Sequence, residues 1–134
     1  MKESQPAAPH ETTIRVRYDE TDPMGFLHHS KYYTYFEIAR TEMLRDSGGN
    51  YRHMEESGLF AVVVKAECKY HKPARYDDVV KILTTLRAIS AAKIEHEYVV
   101  MRGPDRLATA HITLALVDRA GQIQKVPDWL RALK

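Results

Sequence analysis

The residues best suited to chemistry lie together between positions 18 and 33, in the run Tyr18-Asp-Glu-Thr-Asp-Pro-Met-Gly-Phe-Leu-His-His-Ser-Lys-Tyr-Tyr33. Three acids, Asp19, Glu20 and Asp22, are followed by Pro23, Gly25 and the pair His28 and His29. A carboxylate beside a carbonyl carbon can attack it or activate a water against it. Where a helix begins, unpaired backbone N–H groups and a partial positive charge suit an anion, including the oxyanion of an attacked carbonyl. The competing reading is that the acids only solvate and cap a loop, and residue chemistry taken alone favours it.

Other groups offer less. In a strand, His28 and His29 would point to opposite faces and could not share one ion. The remaining histidines, His10, His53, His71, His96 and His111, lack ligand spacing, so no metal is expected. Cys68 is the single cysteine, which excludes an intramolecular disulfide and a cysteine-based zinc cage and fits a cytoplasmic protein. Lys65, Lys72, Arg75, Arg87 and Lys93 are cations able to take phosphates, though such residues are commonly just solvated. No phosphate-cradling glycine loop is present. Glu37 and Arg40 read as charges that pair with neighbours and hold helix to sheet or subunit to subunit, and Tyr33 and Thr41 either face a cleft or, as residue type favours, pack.

The elements around this run are legible from periodicity. Residues 12–18 alternate, with Thr12, Ile14, Val16 and Tyr18 on one face, as a half-buried strand does. Pro23 and Gly25 break the chain into a turn. Ser30 reads as an N-cap, and residues 31–46 as a helix about 24 Å long with Tyr32, Tyr35, Phe36, Ala39 and Met43 on one stripe. Gly48 and Gly49 end it. Residues 51–57 suit a short helix or loop. Four strands follow over residues 59–70, 79–89, 93–102 and 107–117, with Phe60, Val62, Val64, Ala66, Cys68 and Tyr70 sharing a face of the first. Their short connections favour antiparallel neighbours. A last helical turn is expected over residues 127–133. This order predicts an α+β fold, five antiparallel strands around one helix. Leu83, Ile89, Val99 and Met101 would lie on the far sheet face, which points to an oligomer.

The chain has 134 residues, enough for one domain, read as residues 12–134 behind a flexible tail over residues 1–11. A net charge of +2 gives no argument for nucleic acid, and no stretch is long and apolar enough for a membrane span. The first residues lack the apolar core of a signal peptide.

Four linked motifs resemble the 4-hydroxybenzoyl-CoA thioesterase family, especially its short-chain and Tol-Pal-associated branch. They are Arg17-Tyr-Asp-Glu-Thr-Asp-Pro-Met-Gly25, His29-Ser-Lys-Tyr32, Phe36-Glu-Ile-Ala-Arg-Thr-Glu-Met-Leu44 and Cys68-Lys-Tyr-His-Lys-Pro-Ala-Arg-Tyr-Asp-Asp78. The resemblance spans roughly residues 12–118. It implies a hotdog fold, with a curved sheet wrapped around the long helix, and a homodimer with two interfacial active sites, often paired into a homotetramer. It implies hydrolysis of an acyl-CoA thioester, with no cofactor. The family's catalytic aspartate falls on Asp22, as nucleophile or general base, and the residue whose N–H polarises the thioester carbonyl falls on His29. Gly25 would allow the turn that aims them. Met24 and His28 depart from the common pattern and would border the acyl pocket, with Tyr33 and Lys72 as further substrate contacts. Two alternatives stay open: a thioesterase acting on carrier-protein-bound acyl groups, and a non-catalytic module that binds acyl thioesters.

Overall fold

The alternation at the start of the sequence forms β1 (His10–Arg15), and a single 3-10 turn, Tyr18–Glu20, follows. A computed structural model describes residues 8–131 of the chain. After the turn come α1 (His29–Asp46), α2 (Tyr51–Glu56), β2 (Phe60–Tyr70), β3 (Val79–Ile89), β4 (Lys93–Arg102), β5 (Asp105–Val117), β6 (Ile123–Gln124) and α3 (Asp128–Arg131). The sheet is antiparallel in the order β1-β3-β4-β5-β2, with β6 added to β5. The α+β reading therefore holds, with six strands rather than five. The additional strand is two residues long, too short to leave a periodic trace. β1 begins at His10, inside the segment read as tail, and residues 132–133 of the expected last turn lie outside the described residues.

The core forms where the stripe of α1 meets the inner sheet face. Tyr32, Tyr35, Phe36 and Ala39 are buried against Val80 and Ile82 of β3, Tyr98 and Val100 of β4, and Ile112 and Leu114 of β5. Met43, the fifth residue of the expected stripe, is half-buried at its end. The rings of Phe36 and Tyr98 stack at 4.6 Å between centroids.

Two expectations about faces are corrected by bulges. The register of β2 against β5 shifts between Val63 and Lys65. Ala61, Val63, Ala66 and Cys68 therefore oppose the buried Leu116, Leu114, Ile112 and Ala110. Phe60, Val62 and Val64 do not share a face with Ala66, because one extra residue reverses the alternation. A second shift between Leu86 and Ala88 turns Ile89 inward onto the core, away from the outer face expected for it. That outer face keeps Leu83 opposite Val99, but charged pairs interleave with them, Glu95 with His111 at 3.0 Å and Arg87 with Glu97 at 3.3 Å. The exposed apolar run is instead the edge strand β2, where Val62, Val63 and Val64 are 37%, 50% and 49% exposed. Phe36, 0% exposed, joins the helix to the sheet. Phe36→Ala should cost about 3–5 kcal/mol, read from chemical denaturation midpoints at constant slope.

Candidate functional site

The chain between β1 and α1 is held as a small hairpin. Thr21 and Leu27 form an antiparallel bridge, the Asp22 N–H donates to the Phe26 carbonyl at 2.8 Å, and the Gly25 N–H donates to the Asp22 carbonyl at 2.9 Å. Gly25 sits at φ +83°, a conformation that disfavours other residues. The Asp22 carboxylate closes the turn from inside. Its Oδ1 accepts the N–H groups of Met24 at 2.9 Å and Phe26 at 3.1 Å. Among the described residues its other oxygen has no hydrogen-bond partner. One oxygen is thus oriented by the backbone while the other is left without a protein partner among the described residues.

Helix α1 starts two residues earlier than expected, and its cap is His28 rather than Ser30. The Nδ1 of His28 accepts the Ser30 N–H at 3.2 Å and lies 2.8 Å from the Ser30 hydroxyl. His29 becomes the first helical residue, and its backbone N–H has no partner among the described residues, as the first turn of a helix requires. The two histidine rings stack side by side at 4.3 Å, so the expectation of opposite faces fails: the pair straddles a helix start, not a strand. Among the described residues no three potential metal ligands assemble anywhere.

The hairpin and the helix start are tied together by Glu20, read from sequence as a loop acid. It is 6% exposed, and its Oε1 accepts the Tyr35 hydroxyl at 2.6 Å and the Arg17 N–H at 2.8 Å. Its carbonyl accepts the His28 N–H at 2.9 Å. Burial pushes the Glu20 carboxyl up, but the hydrogen bonds from Tyr35 and Arg17 and the Arg17 charge outweigh it and hold the group below its ordinary value. Asp19, by contrast, is exposed.

The third wall is the loop between β2 and β3. The Leu27 N–H donates to the Ala74 carbonyl at 2.8 Å, and Phe26 bridges to Arg75. Asp78 pins this loop by accepting the Arg75 N–H and the Arg102 guanidinium, both at 2.9 Å. Arg102 also donates to the Pro73 carbonyl at 3.1 Å. The Tyr70 hydroxyl donates to the His29 carbonyl at 3.3 Å, and its ring meets Tyr32 edge to face at 5.1 Å.

One open groove results, lined by Asp22, Phe26, Leu27, His29, Tyr32, Tyr70, His71, Lys72 and Pro73. It brings together three residues singled out in the sequence, Asp22, His29 and Lys72. It does not bring in the other four. Met24 stands at the hairpin tip, 69% exposed, Gly25 shapes the turn, and His28 caps the helix. Tyr33 lines a separate depression with Glu37, Arg40 and Val63. Lys72 pairs with Asp105 at 3.2 Å, and Arg75 lies over the Phe26 ring beside the groove. Of the other cations, Arg87 pairs with Glu97 and Lys65 lies 3.9 Å from Glu67, both away from it. Sequence reasoning missed Tyr70 and His71, although their place beside Lys72 in the same motif was the available signal.

With this geometry in hand, the comparisons converge. Residues 16–133 match the thioesterase-like superfamily, and the chain belongs to it. The acyl-CoA thioesterase YbgC of Haemophilus influenzae is 34% identical over 106 residues, 78% of each chain. A crystal structure of an Aquifex aeolicus protein superposes with a TM-score of 0.89 at 37% identity, covering 94% of this chain and 100% of that one. A DHNA-CoA thioesterase of Staphylococcus aureus superposes with a TM-score of 0.87 at 28% identity, covering 91% and 86%. The fold is the hotdog fold.

Because the Glu20 carboxyl is held below its unfolded value, its contribution is complete above the ordinary carboxylate range and is lost as pH falls through the folded value. Glu20→Gln should lower stability at pH 7 by about 1.5–3 kcal/mol and flatten the acid limb of a stability–pH curve measured by denaturation.

Proposed function

We propose that the chain hydrolyses an acyl-CoA thioester to a free acid and coenzyme A. The observation that carries the reading is the pairing, in one groove, of a half-anchored Asp22 carboxylate with the unpartnered N–H of His29. In this reading the thioester oxygen accepts the His29 N–H at the positive end of α1. The free oxygen of Asp22 adds to the carbonyl carbon or takes a proton from a water that does so. The C–S bond then breaks and coenzyme A leaves as its thiol. When water attacks, the thiolate takes the proton that Asp22 removed. When Asp22 attacks, the thiolate takes a proton from solvent, and a water then cleaves the Asp22 acyl anhydride to the free acid. Lys72 and Arg75 stand where they would meet phosphates of a bound coenzyme A, and relatives named as acyl-CoA thioesterases support the substrate class. The four sequence motifs support placement in the short-chain, Tol-Pal-associated branch.

Asp22→Ala and Asp22→Asn should lower kcat by about 10²–10⁴-fold, with the thermal transition kept within a few degrees. Free-thiol release from a panel of acyl-CoA chain lengths, with one acyl group also presented on a carrier protein, gives both the rate and the substrate. Near-normal turnover in Asp22→Ala would refute the assignment.

We further propose a homodimer through the unpaired edge of β2, as a step towards a homotetramer. An exposed apolar edge strand is a ready partner for its own copy. The second subunit would supply the walls that Met24, His28 and Tyr33 lack in the single chain. Val63→Lys should reduce the mass measured by light scattering to that of one chain, and an unchanged mass would reject this interface.

A further inference from the structure

Arg40 sits eleven residues beyond His29 on α1, about 16 Å along the helix from the groove at a rise of ~1.5 Å per residue. Its side chain is only 10% exposed, and its nearest carboxylate, Glu37, stands 4.0 Å away and faces solvent. That is too long for a hydrogen bond. A guanidinium has five donors and no acceptor, so burying it without a carboxylate is costly unless something else meets it.

What meets the Arg40 guanidinium is neutral: the phenol oxygens of Tyr51 and Tyr98 accept from it and keep their own O–H groups to donate. His96 is 8% exposed, and its Nδ1 is buried without a hydrogen bond. Both tyrosine hydroxyls lie against the guanidinium, and no further acceptor among the described residues takes the Tyr98 proton. Burial, assisted by the Arg40 charge, pushes the His96 imidazole down to about 4, and burial raises Tyr98 to about 12. At neutral pH the cluster therefore holds one cation and three neutral groups with a proton to give.

This cluster closes the polar end of an otherwise apolar cavity between α1, α2 and the sheet. Arg40 and His96 line it together with Met43, Leu44, Met54 and Leu130. The space open to the centre of a water-sized sphere is about 60 Å³. One water needs roughly 10–15 Å³ by this measure, so the room suits a chain of a few carbons.

We propose that this cavity is a second ligand site, distinct from the Asp22 groove, that takes a short-chain aliphatic carboxylic acid. The carboxylate sits on Arg40 with hydrogen bonds from His96 and the tyrosines, and the alkyl tail lies among Met43, Leu44 and Met54. Free acid released at the groove and free acid from another source share this chemistry.

Methionine methyl labelling separates the two sites, because Met43 and Met54 line the cavity while Met24 lies at the hairpin tip. Hexanoate should shift the Met43 and Met54 methyl resonances saturably and leave Met24 in place. 1-Hexanol should bind at least about tenfold more weakly, as should hexanoate to Arg40→Met, since a hydrogen bond to a charged group is lost. Ala61→Leu, which fills the cavity from its wall and leaves Arg40 in the chain, should abolish the shifts and decides the matter if Arg40→Met fails to fold. Asp22→Asn should bind hexanoate as the wild type does, so the result stands apart from the catalytic reading. Shifts confined to Met24, no saturable shift, or wild-type affinity in Arg40→Met or Ala61→Leu would overturn the proposal.

Discussion

The buried carboxylate of Glu20 is the contact on which the geometry of the groove depends. It accepts the Tyr35 hydroxyl from α1 and the Arg17 N–H from the chain just past β1, while its carbonyl accepts the His28 N–H at the helix cap. Three pieces of chain that must keep fixed relative positions are thereby tied to one residue. A carboxylate taken from water is tolerable only when its lone pairs are met, and here burial is outweighed by these partners. Without it, the Asp22 hairpin would be held by its own turn and by the loop between β2 and β3, with no side-chain tie to α1.

A second constraint comes from the sheet. Asp78 accepts from Arg75 and Arg102, which fixes the loop that carries Pro73 and Ala74. That loop then pairs with Phe26 and Leu27. The groove is therefore built by cross-linking two loops to each other and each to a rigid element. Preorganisation of this kind lets a donor and a carboxylate keep their separation while a substrate arrives. The unpartnered His29 N–H is the usual consequence of starting a helix, placed where an acceptor can reach it.

Along the same helix, the two ends differ in chemistry. The N-terminal end presents Asp22, an unpaired N–H and open solvent. Further along, Arg40 and His96 sit against a largely apolar cavity. Phe36, stacked on Tyr98, stands between them as part of the continuous core. One helix thus carries a solvent-facing polar site and a buried cationic one, separated by packed rings.

Much of this was legible in the amino-acid order because it depends on local rules. The stripe Tyr32, Tyr35, Phe36 and Ala39 follows from helical period, the long strands from alternation, and the turn after Asp22 from Pro23 and Gly25. The α+β class and the hotdog expectation followed from those elements and the four motifs. What stayed hidden depends on non-local contacts. The bulges near Val63 and Leu86 reverse which residues face the core, and a bulge is a property of two strands in register. The cap moved from Ser30 to His28 because an imidazole nitrogen happened to reach a backbone N–H. Glu20 differs from Asp19 only because Tyr35, fifteen residues on, reaches back to it. Residue types and spacing determined which groups were available for chemistry. Only the tertiary structure decided which acid is buried as an anchor, which is held half-free in the groove, and which cation is buried beside an apolar cavity, since each outcome depends on distant partners meeting in space.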